Sequence, residues 1–423
     1  MPQYNAPLKD LRFTLKHLAN LEEIASWPDC EDATTDLVDA VLDEAAKFAS
    51  NVLAPLNRAG DQTRPTVTDG EVTTVKGWKE AYRQFIQAGW VGLVLDPEYG
   101  GQGLPQTVAC AVQEMWDAAN MAFGLCPMLS QTAAEAIFLK GTKEQKALFL
   151  PRLVSGEWTG TMNLTEPQAG SDLAAVRTRA LPGDNGDYLL SGQKIFITYG
   201  EHDLSSNIIH LVLARTPDAP EGVKGISLFI VPKFILDEKG EPGARNDVHC
   251  VSLEHKLGIH GSPTAVLSYG DQGGAVGYLV GEENRGLEYM FIMMNRARHA
   301  VGIEGYAIAE RAYQRALNFA RERVQGRAIG DVSAERSPII RHPDVQRMLL
   351  DMRSRIEAMR ALSLYTAAAT DRASYHPDPT ERARGQSWVD MLIPVVKGWS
   401  SEVGNEIASL ALQVHGGMGF IEE

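Results

Sequence analysis

Cysteine is scarce: only Cys30, Cys110, Cys126 and Cys250 occur in 423 residues, all far apart. No CxxC pair exists, so neither a zinc ribbon nor a thioredoxin-like site is encoded, and a dense disulfide framework is excluded. Positive charge is also short, with 40 Lys and Arg against 54 Asp and Glu and a formal net charge of −14. That balance argues against a dominant nucleic-acid or anionic-membrane role, which needs concentrated cations. No run approaches the roughly 18 consecutive apolar residues of a membrane span. The start, MPQYNAPLKD, lacks the basic region and apolar run of a signal peptide. A reducing, cytoplasmic setting is the expectation. Missing too are a GxxxxGK[ST] loop, a GxGxxG after a strand and an HExxH helix. Gly170-Ser171-Asp172 does not stand in a GxSxG elbow. The ten histidines are scattered, and no metal site is expected.

What is present reads as an ordinary globular chain, 44% hydrophobic and 22% charged. At about 150 residues per domain, its length suggests three domains. Apolar residues from Leu37 to Leu53 and from Val108 to Trp116 recur at helical spacing, and Thr142-Lys-Glu-Gln145 has capping-box spacing. From about 158 the period shortens. Lys194-Ile-Phe-Ile-Thr198, Ile208 to Leu213, Ile226 to Val231 and Thr264 to Ser268 read as strands separated by turns. A sandwich or barrel follows, not a βαβ sheet. Long helices return near 283: about 288–323 as two helices or one bent one, then about 342–370 and 380–414, with Pro394 expected to kink or start part of the last. The expected fold class is α+β multidomain. Residues 1–33 form an N-terminal extension, 34–157 a helical domain, 158–282 a central β-domain and 283–423 a C-terminal helical bundle that reads as truncated.

The segment richest in chemistry is Gly160-Thr-Met-Asn-Leu-Thr-Glu-Pro-Gln-Ala-Gly-Ser-Asp-Leu173. A short strand enters a proline and a Gly-Ser-Asp turn, whose amides and hydroxyls suit a polar planar ligand or a phosphate. A plain inter-strand turn has the same composition.

Taken with other blocks, this segment resembles the acyl-CoA dehydrogenase family. Leu164-Thr-Glu-Pro-Gln-Ala-Gly-Ser-Asp172 is similar to the family's first signature, with Asn163 in place of the usual small residue. Gln413-Val-His-Gly-Gly-Met-Gly-Phe420, with Glu423, is similar to the beginning of the second. Gly192-Gln-Lys-Ile-Phe-Ile-Thr198 resembles its flavin-contacting strand. Lys256-Leu-Gly-Ile-His-Gly-Ser262, Gly281-Glu-Glu-Asn-Arg-Gly286, Arg298-His-Ala-Val-Gly302 and, upstream, Tyr99-Gly-Gly-Gln-Gly103 follow the family order. The opening Tyr4-Asn-Ala-Pro-Leu-Lys-Asp10 resembles a long bacterial subgroup with an N-terminal extension and an extra C-terminal domain. Substrates in that subgroup include 3-(methylthio)propanoyl-CoA and fatty acyl-CoAs.

The resemblance implies an FAD-dependent α,β-dehydrogenation of an acyl-CoA thioester to the 2-enoyl-CoA. Electrons would pass to electron-transfer flavoprotein, and the protein would be a homodimer or homotetramer. It sets Met162, Leu164 and Thr165 against the flavin ring, with Gly170 and Ser171 near cofactor phosphate or CoA. Phe196 stands where a tryptophan often packs, and Thr198 would hydrogen-bond near N5. Arg323 would meet the diphosphate, in a neighbouring subunit's site. Gln346, Gln413, Gly416 and Gly417 would complete the adenine and ribose side. Ser171 and Arg298 would face substrate. Plainer roles compete: strand core for Phe196, a solvated helix residue for Arg323, a helix cap for the glycines and an ion pair for Arg298. Met290, Met293 and Met294 read as a core stripe. The family's catalytic glutamate, in Tyr-Glu-Gly-Thr context, is not found, and its alternative position is Ala297. The base is therefore expected C-terminal to Glu423. A non-catalytic flavin or acyl-CoA binding protein, and an acyl-CoA oxidase, are the competing functions.

Overall fold

In the computed structural model, residues 4–330, 332 and 336–421 are described. The chain opens with α1 (Leu8–His17), α2 (Leu21–Ile24) and α3 (Thr35–Phe48). The Thr34 hydroxyl caps α3 by accepting from Leu37 N. A π-helical turn, Ala49–Leu53, leads into α4 (Ala54–Gln62). Next comes a hairpin, β1 (Thr66–Thr68) and β2 (Glu71–Thr73), inside a region whose periodicity suggests helix alone. Its turn carries Asp69 and Gly70 at φ 51° and 79°; an Asp-Gly pair accepts that left-handed geometry at low cost. Then follow α5 (Trp78–Gln87), α6 (Gln106–Lys140) and α7 (Lys143–Ser155). The Thr142–Gln145 capping box forms at the start of α7. Helix α6 breaks locally at Asn120, where φ is −161°. It is long and apolar enough to cross a membrane, yet 72% of its most apolar window is buried inside the protein.

The strands are β3 (Trp158–Asn163), β4 (Arg179–Pro182), β5 (Tyr188–Thr198), β6 (Asn207–Ala214), β7 (Ser227–Pro232), β8 (Phe234–Leu236), β9 (Pro242–Arg245), β10 (Val248–Leu253), β11 (Thr264–Tyr269) and β12 (Ala275–Leu279). Eight of them form a sheet in the order β10-β11-β5-β12-β7-β6-β3, with β4 pairing β5 off that path. Only β3 and β6 run parallel within it. Strand β5 serves two groups: Tyr188 to Ser191 pairs with β4 and β12, whereas Gly192 to Thr198 pairs with β11. It turns at Gly192, φ 151°, where a Cβ would lie 2.9 Å from the Thr178 backbone. Only glycine fits there.

Three long helices close the chain: α8 (Gly286–Glu322), α9 (Pro343–Tyr375) and α10 (Pro379–His415). Helix α8 is continuous, and Pro394 lies inside α10 without ending it. The order is a helical N-terminal domain, a β-sheet domain and a C-terminal helical bundle.

By internal contacts the chain divides into two units. One holds Met1–Pro55, Leu104–Met121 and Arg298–Glu423. There the buried Asp371 carboxylate accepts from Gln106 N and Thr107 N, satisfying the orphan amides that start α6. Arg360 is buried between Glu114 and Glu310, at 2.5 and 3.0 Å. A Cβ on Gly305 would come within 2.3 Å of Ser400 O, so α8 and α10 touch backbone to backbone. The other unit holds Leu56–Gly103 and Ala122–Ala297. One of its cores joins Trp158, Ile209, Leu211 and Ile230 to Phe149, Met290 and Met293, with Met294 packed against it. The methionines are core. A second core gathers Val212, Phe229, Val231, Leu267 and Tyr269. All eight residues of β6 are buried, as a strand covered on both faces requires. All four cysteines are free and buried.

Candidate active site

The site is built in the second unit from the turn after β3 and the end of β5. Between Ile197 and Lys194 the register against β11 slips by one residue, so Ile195 and Phe196 together oppose Val266. This bulge puts Phe196 at φ 61°, which a bulky side chain rarely adopts. The ring is 59% exposed, so apolar packing does not repay that conformation. Such a conformation persists only where the surrounding structure over-determines it, here the bulge and its pairing with β11.

The bulge is tied to the signature turn. Ile195 N donates to Thr165 O at 2.9 Å. The Lys194 ammonium donates to Leu164 O at 3.0 Å and to Glu166 Oε1 at 2.8 Å. Lys194 and Glu166 are 0% and 3% exposed. Glu166 also accepts from Arg177 N, Thr178 N and the Thr178 hydroxyl. Burial pulls the Lys194 ammonium down to about 8, against the stabilising effect of Glu166. Burial pushes the Glu166 carboxyl up, but Lys194 and its other donors outweigh this and hold it below the usual carboxylate range. At neutral pH both are charged. Thr165, Thr198 and Phe196 are thereby brought together. Among the described residues neither threonine hydroxyl has a hydrogen-bond partner. Met162 and Leu164 are half-buried against the core, and Gly170 and Ser171 are exposed, with open space where a Gly170 Cβ would be.

Asn163 is explained by its surroundings. It accepts from the Tyr269 hydroxyl at 2.9 Å and donates to Thr161, whose hydroxyl meets His210 Nδ1 at 2.7 Å. A small residue at 163 would leave that phenol without its partner.

The remaining residues of the expected site belong to the first unit. Phe319 of α8 and His415 of α10 stack at 4.7 Å, which joins the C-terminal ends of those helices. His342 Nε2 meets Gln325 O at 2.8 Å, adding the start of α9. Arg323, Gln346, Gln413, Gly416 and Gly417 are therefore gathered at one end of the bundle, all exposed. Arg323 gives two donors to Gln325 Oε1. Gly416, at φ 59°, ends α10, and neither it nor Gly417 has an atom near where a Cβ would stand. Arg298 is half-buried on α8. Ala297 is buried and carries no acid–base group; nearby, Arg296 pairs with Glu135 at 2.8 Å. Glu422 and Glu423 lie outside the described residues.

Two sets of residues result. One offers an exposed aromatic face beside two unpartnered hydroxyls. The other offers an exposed guanidinium with open glycine backbone, which suits phosphate oxygens. Taken separately, the first set suits a planar ring with a polar edge, as a flavin has, and the second a diphosphate. Glu166 and Lys194 lie inside the two blocks without a role assigned from sequence, and Tyr269 lies in neither, though a lysine inside an apolar strand is itself a signal that a buried partner exists.

Comparison with known proteins gives the family. Residues 35–157, 161–271 and 284–423 match the acyl-CoA dehydrogenase N-terminal, middle and C-terminal domains. The 3-methylmercaptopropionyl-CoA dehydrogenase of Ruegeria pomeroyi is 51% identical over 420 residues, covering 99% of this chain and 71% of that one. The chain belongs to the acyl-CoA dehydrogenase family. A butyryl-CoA dehydrogenase of Syntrophomonas wolfei is 37% identical over 434 residues, covering 99% and 70% of the two chains. The solved butyryl-CoA dehydrogenase of Megasphaera elsdenii superposes with a TM-score of 0.71 at 26% identity, over 92% of this chain and 90% of that one. The chain is accordingly an oxidoreductase of the kind that acts on CH–CH groups.

Proposed function

We propose that this acyl-CoA dehydrogenase oxidises a short acyl-CoA thioester to its 2-enoyl-CoA with FAD, and passes the electrons to electron-transfer flavoprotein. The observation that carries the reading is Phe196, exposed and held at positive φ beside the pinned Thr165. FAD, when bound, supplies the hydride acceptor. Phe196 would cover a face of its ring, with Met162 and Leu164 alongside, while Thr165 and Thr198 hydrogen-bond its polar edge. Arg323, Gln346, Gln413, Gly416 and Gly417 would hold the diphosphate and adenosine. Ser171 and Arg298 would orient the substrate. Relatives named for butyryl-CoA and 3-methylmercaptopropionyl-CoA support a short, unbranched chain. A homodimer or homotetramer in the cytoplasm belongs to the same reading.

Ala297 cannot remove the α-proton, and a carboxylate at another position is our proposal for that task. Such a group works best when partial burial brings its pKa toward neutrality. Ala297 is also what favours the competing reading, a flavin and acyl-CoA binding protein without a base.

Anaerobic titration of the FAD-loaded protein with butyryl-CoA and 3-methylmercaptopropionyl-CoA separates the two. Bleaching of the oxidised flavin band is the expected result. Flavin that stays oxidised with every acyl-CoA overturns it in favour of the binding protein. Peroxide release in air would mark an oxidase.

A further inference from the structure

We infer that Lys194 is a positioning residue for the flavin's polar edge, holding the Leu164–Thr165 peptide and the Phe196 bulge in register and strengthening the Thr165 N–H as a donor. This rests on the proposed placement of Thr165 and Phe196 at the flavin. The ammonium sits 3.0 Å from Leu164 O. That carbonyl shares one planar, conjugated peptide with the Thr165 N–H. A cation on the oxygen draws electron density from the nitrogen, and hydrogen bonds along such a chain reinforce each other in a low-dielectric interior. The Thr165 N–H has no hydrogen-bond partner among the described residues, so its donor capacity is open to a ligand. One residue on, Thr165 O accepts from Ile195 N. Side chain and backbone of Lys194–Ile195 thus grip two successive carbonyls of the turn, and the next residue is Phe196.

An apolar side chain would fill the same space without the desolvation cost of a buried ion pair. What it would not do is hold a cation against that peptide. Among the described residues, Glu166 is the charged side chain set against the ammonium. Since burial draws Lys194 to about 8, the cation is present at neutral pH and is lost in mildly alkaline solution. The flavin should sense that loss.

The test uses the FAD-loaded protein with Lys194→Met, Lys194→Met/Glu166→Gln and Lys194→Arg. The double variant removes the orphaned carboxylate that could unfold the single one. Circular dichroism reports folding, FAD dissociation is followed by flavin fluorescence, and the flavin midpoint potential is measured by spectroelectrochemical titration from pH 7 to 9. Expected for the folded double variant are a lowered potential, FAD affinity weaker by about tenfold, and no pH step near 8 beyond that of the flavin itself. Lys194→Arg should restore the potential at pH 7. A folded double variant with wild-type potential and FAD affinity overturns the proposal and leaves the proposed function standing. Failure of all three to fold also overturns it, because the pair is then purely structural. Wild-type protein that binds no FAD would overturn the underlying reading instead.

Discussion

The Tyr269 hydroxyl donates to Asn163 Oδ1 at 2.9 Å, with both residues buried. Through Asn163 and Thr161 this bond continues to His210, so strands β11, β3 and β6 share one polar chain inside the β-domain. Tyr269→Phe leaves a buried amide oxygen without a donor. It should cost about 1–3 kcal/mol, read as a lower urea midpoint with unchanged slope. An unaltered midpoint would show the bond to be dispensable.

Acid sensitivity follows from two buried histidines, His210 of that chain and His202, which bonds Thr159. Burial, helped by Lys233, drives the His202 imidazole down to about 3. Burial, helped by Arg245 and Lys233, does the same to His210. In the unfolded chain each takes a proton near 6.5. Between about 3 and 6.5 the unfolded state therefore binds more protons. Stability is complete above that window and falls as pH drops through it, by about 1.4 kcal/mol per pH unit per imidazole. Urea unfolding at pH 5, 6 and 7 should show this slope, reduced by one proton's worth in His210→Gln. Equal slopes in both proteins would contradict a neutral buried His210.

Phe196 sets stability against binding. Phe196→Gly relieves a left-handed conformation that costs a non-glycine residue about 1–3 kcal/mol, and it sacrifices little packing because the ring is 59% exposed. The FAD-free variant should melt no lower than wild type, while FAD binds more weakly. Loss of stability with unchanged FAD affinity would make Phe196 ordinary core.

Arg360 is held by two carboxylates, both buried with it. Removing it by Arg360→Met strands Glu114 and Glu310 and should cost about 3–5 kcal/mol. Adding Glu114→Gln and Glu310→Gln should recover most of that loss in thermal melts. No recovery in the triple variant would mean that packing of the arginine stem, not charge, holds the site.

The α8–α10 contact gives a steric prediction. Gly305→Ala would drive a methyl group into Ser400 O and should destabilise the bundle by about 1–3 kcal/mol. Wild-type stability would show that the helices separate freely.

Much of this protein was legible along its chain. Helical periodicity, short strand runs and the capping box at Thr142 are local signals, because a helix or turn is made by residues close in sequence. The signature blocks likewise carried the family, for each keeps its chemistry within about ten residues. Other features needed distant partners. The β1–β2 hairpin is hidden from periodicity for another reason: its strands of three residues each are too short to show a period. Asn163 looked like an irregularity until Tyr269, over a hundred residues away, was found beside it. Lys194 could be seen as an ion in an apolar strand. Its hold on Leu164 O, and the bulge that turns Phe196 outward, exist only because β5 pairs with β11 and bends at Gly192. The sequence alone determined which residues can hydrogen-bond, carry charge or pack. Tertiary structure decided which of them meet, because register and burial belong to pairs of segments and to neither one alone.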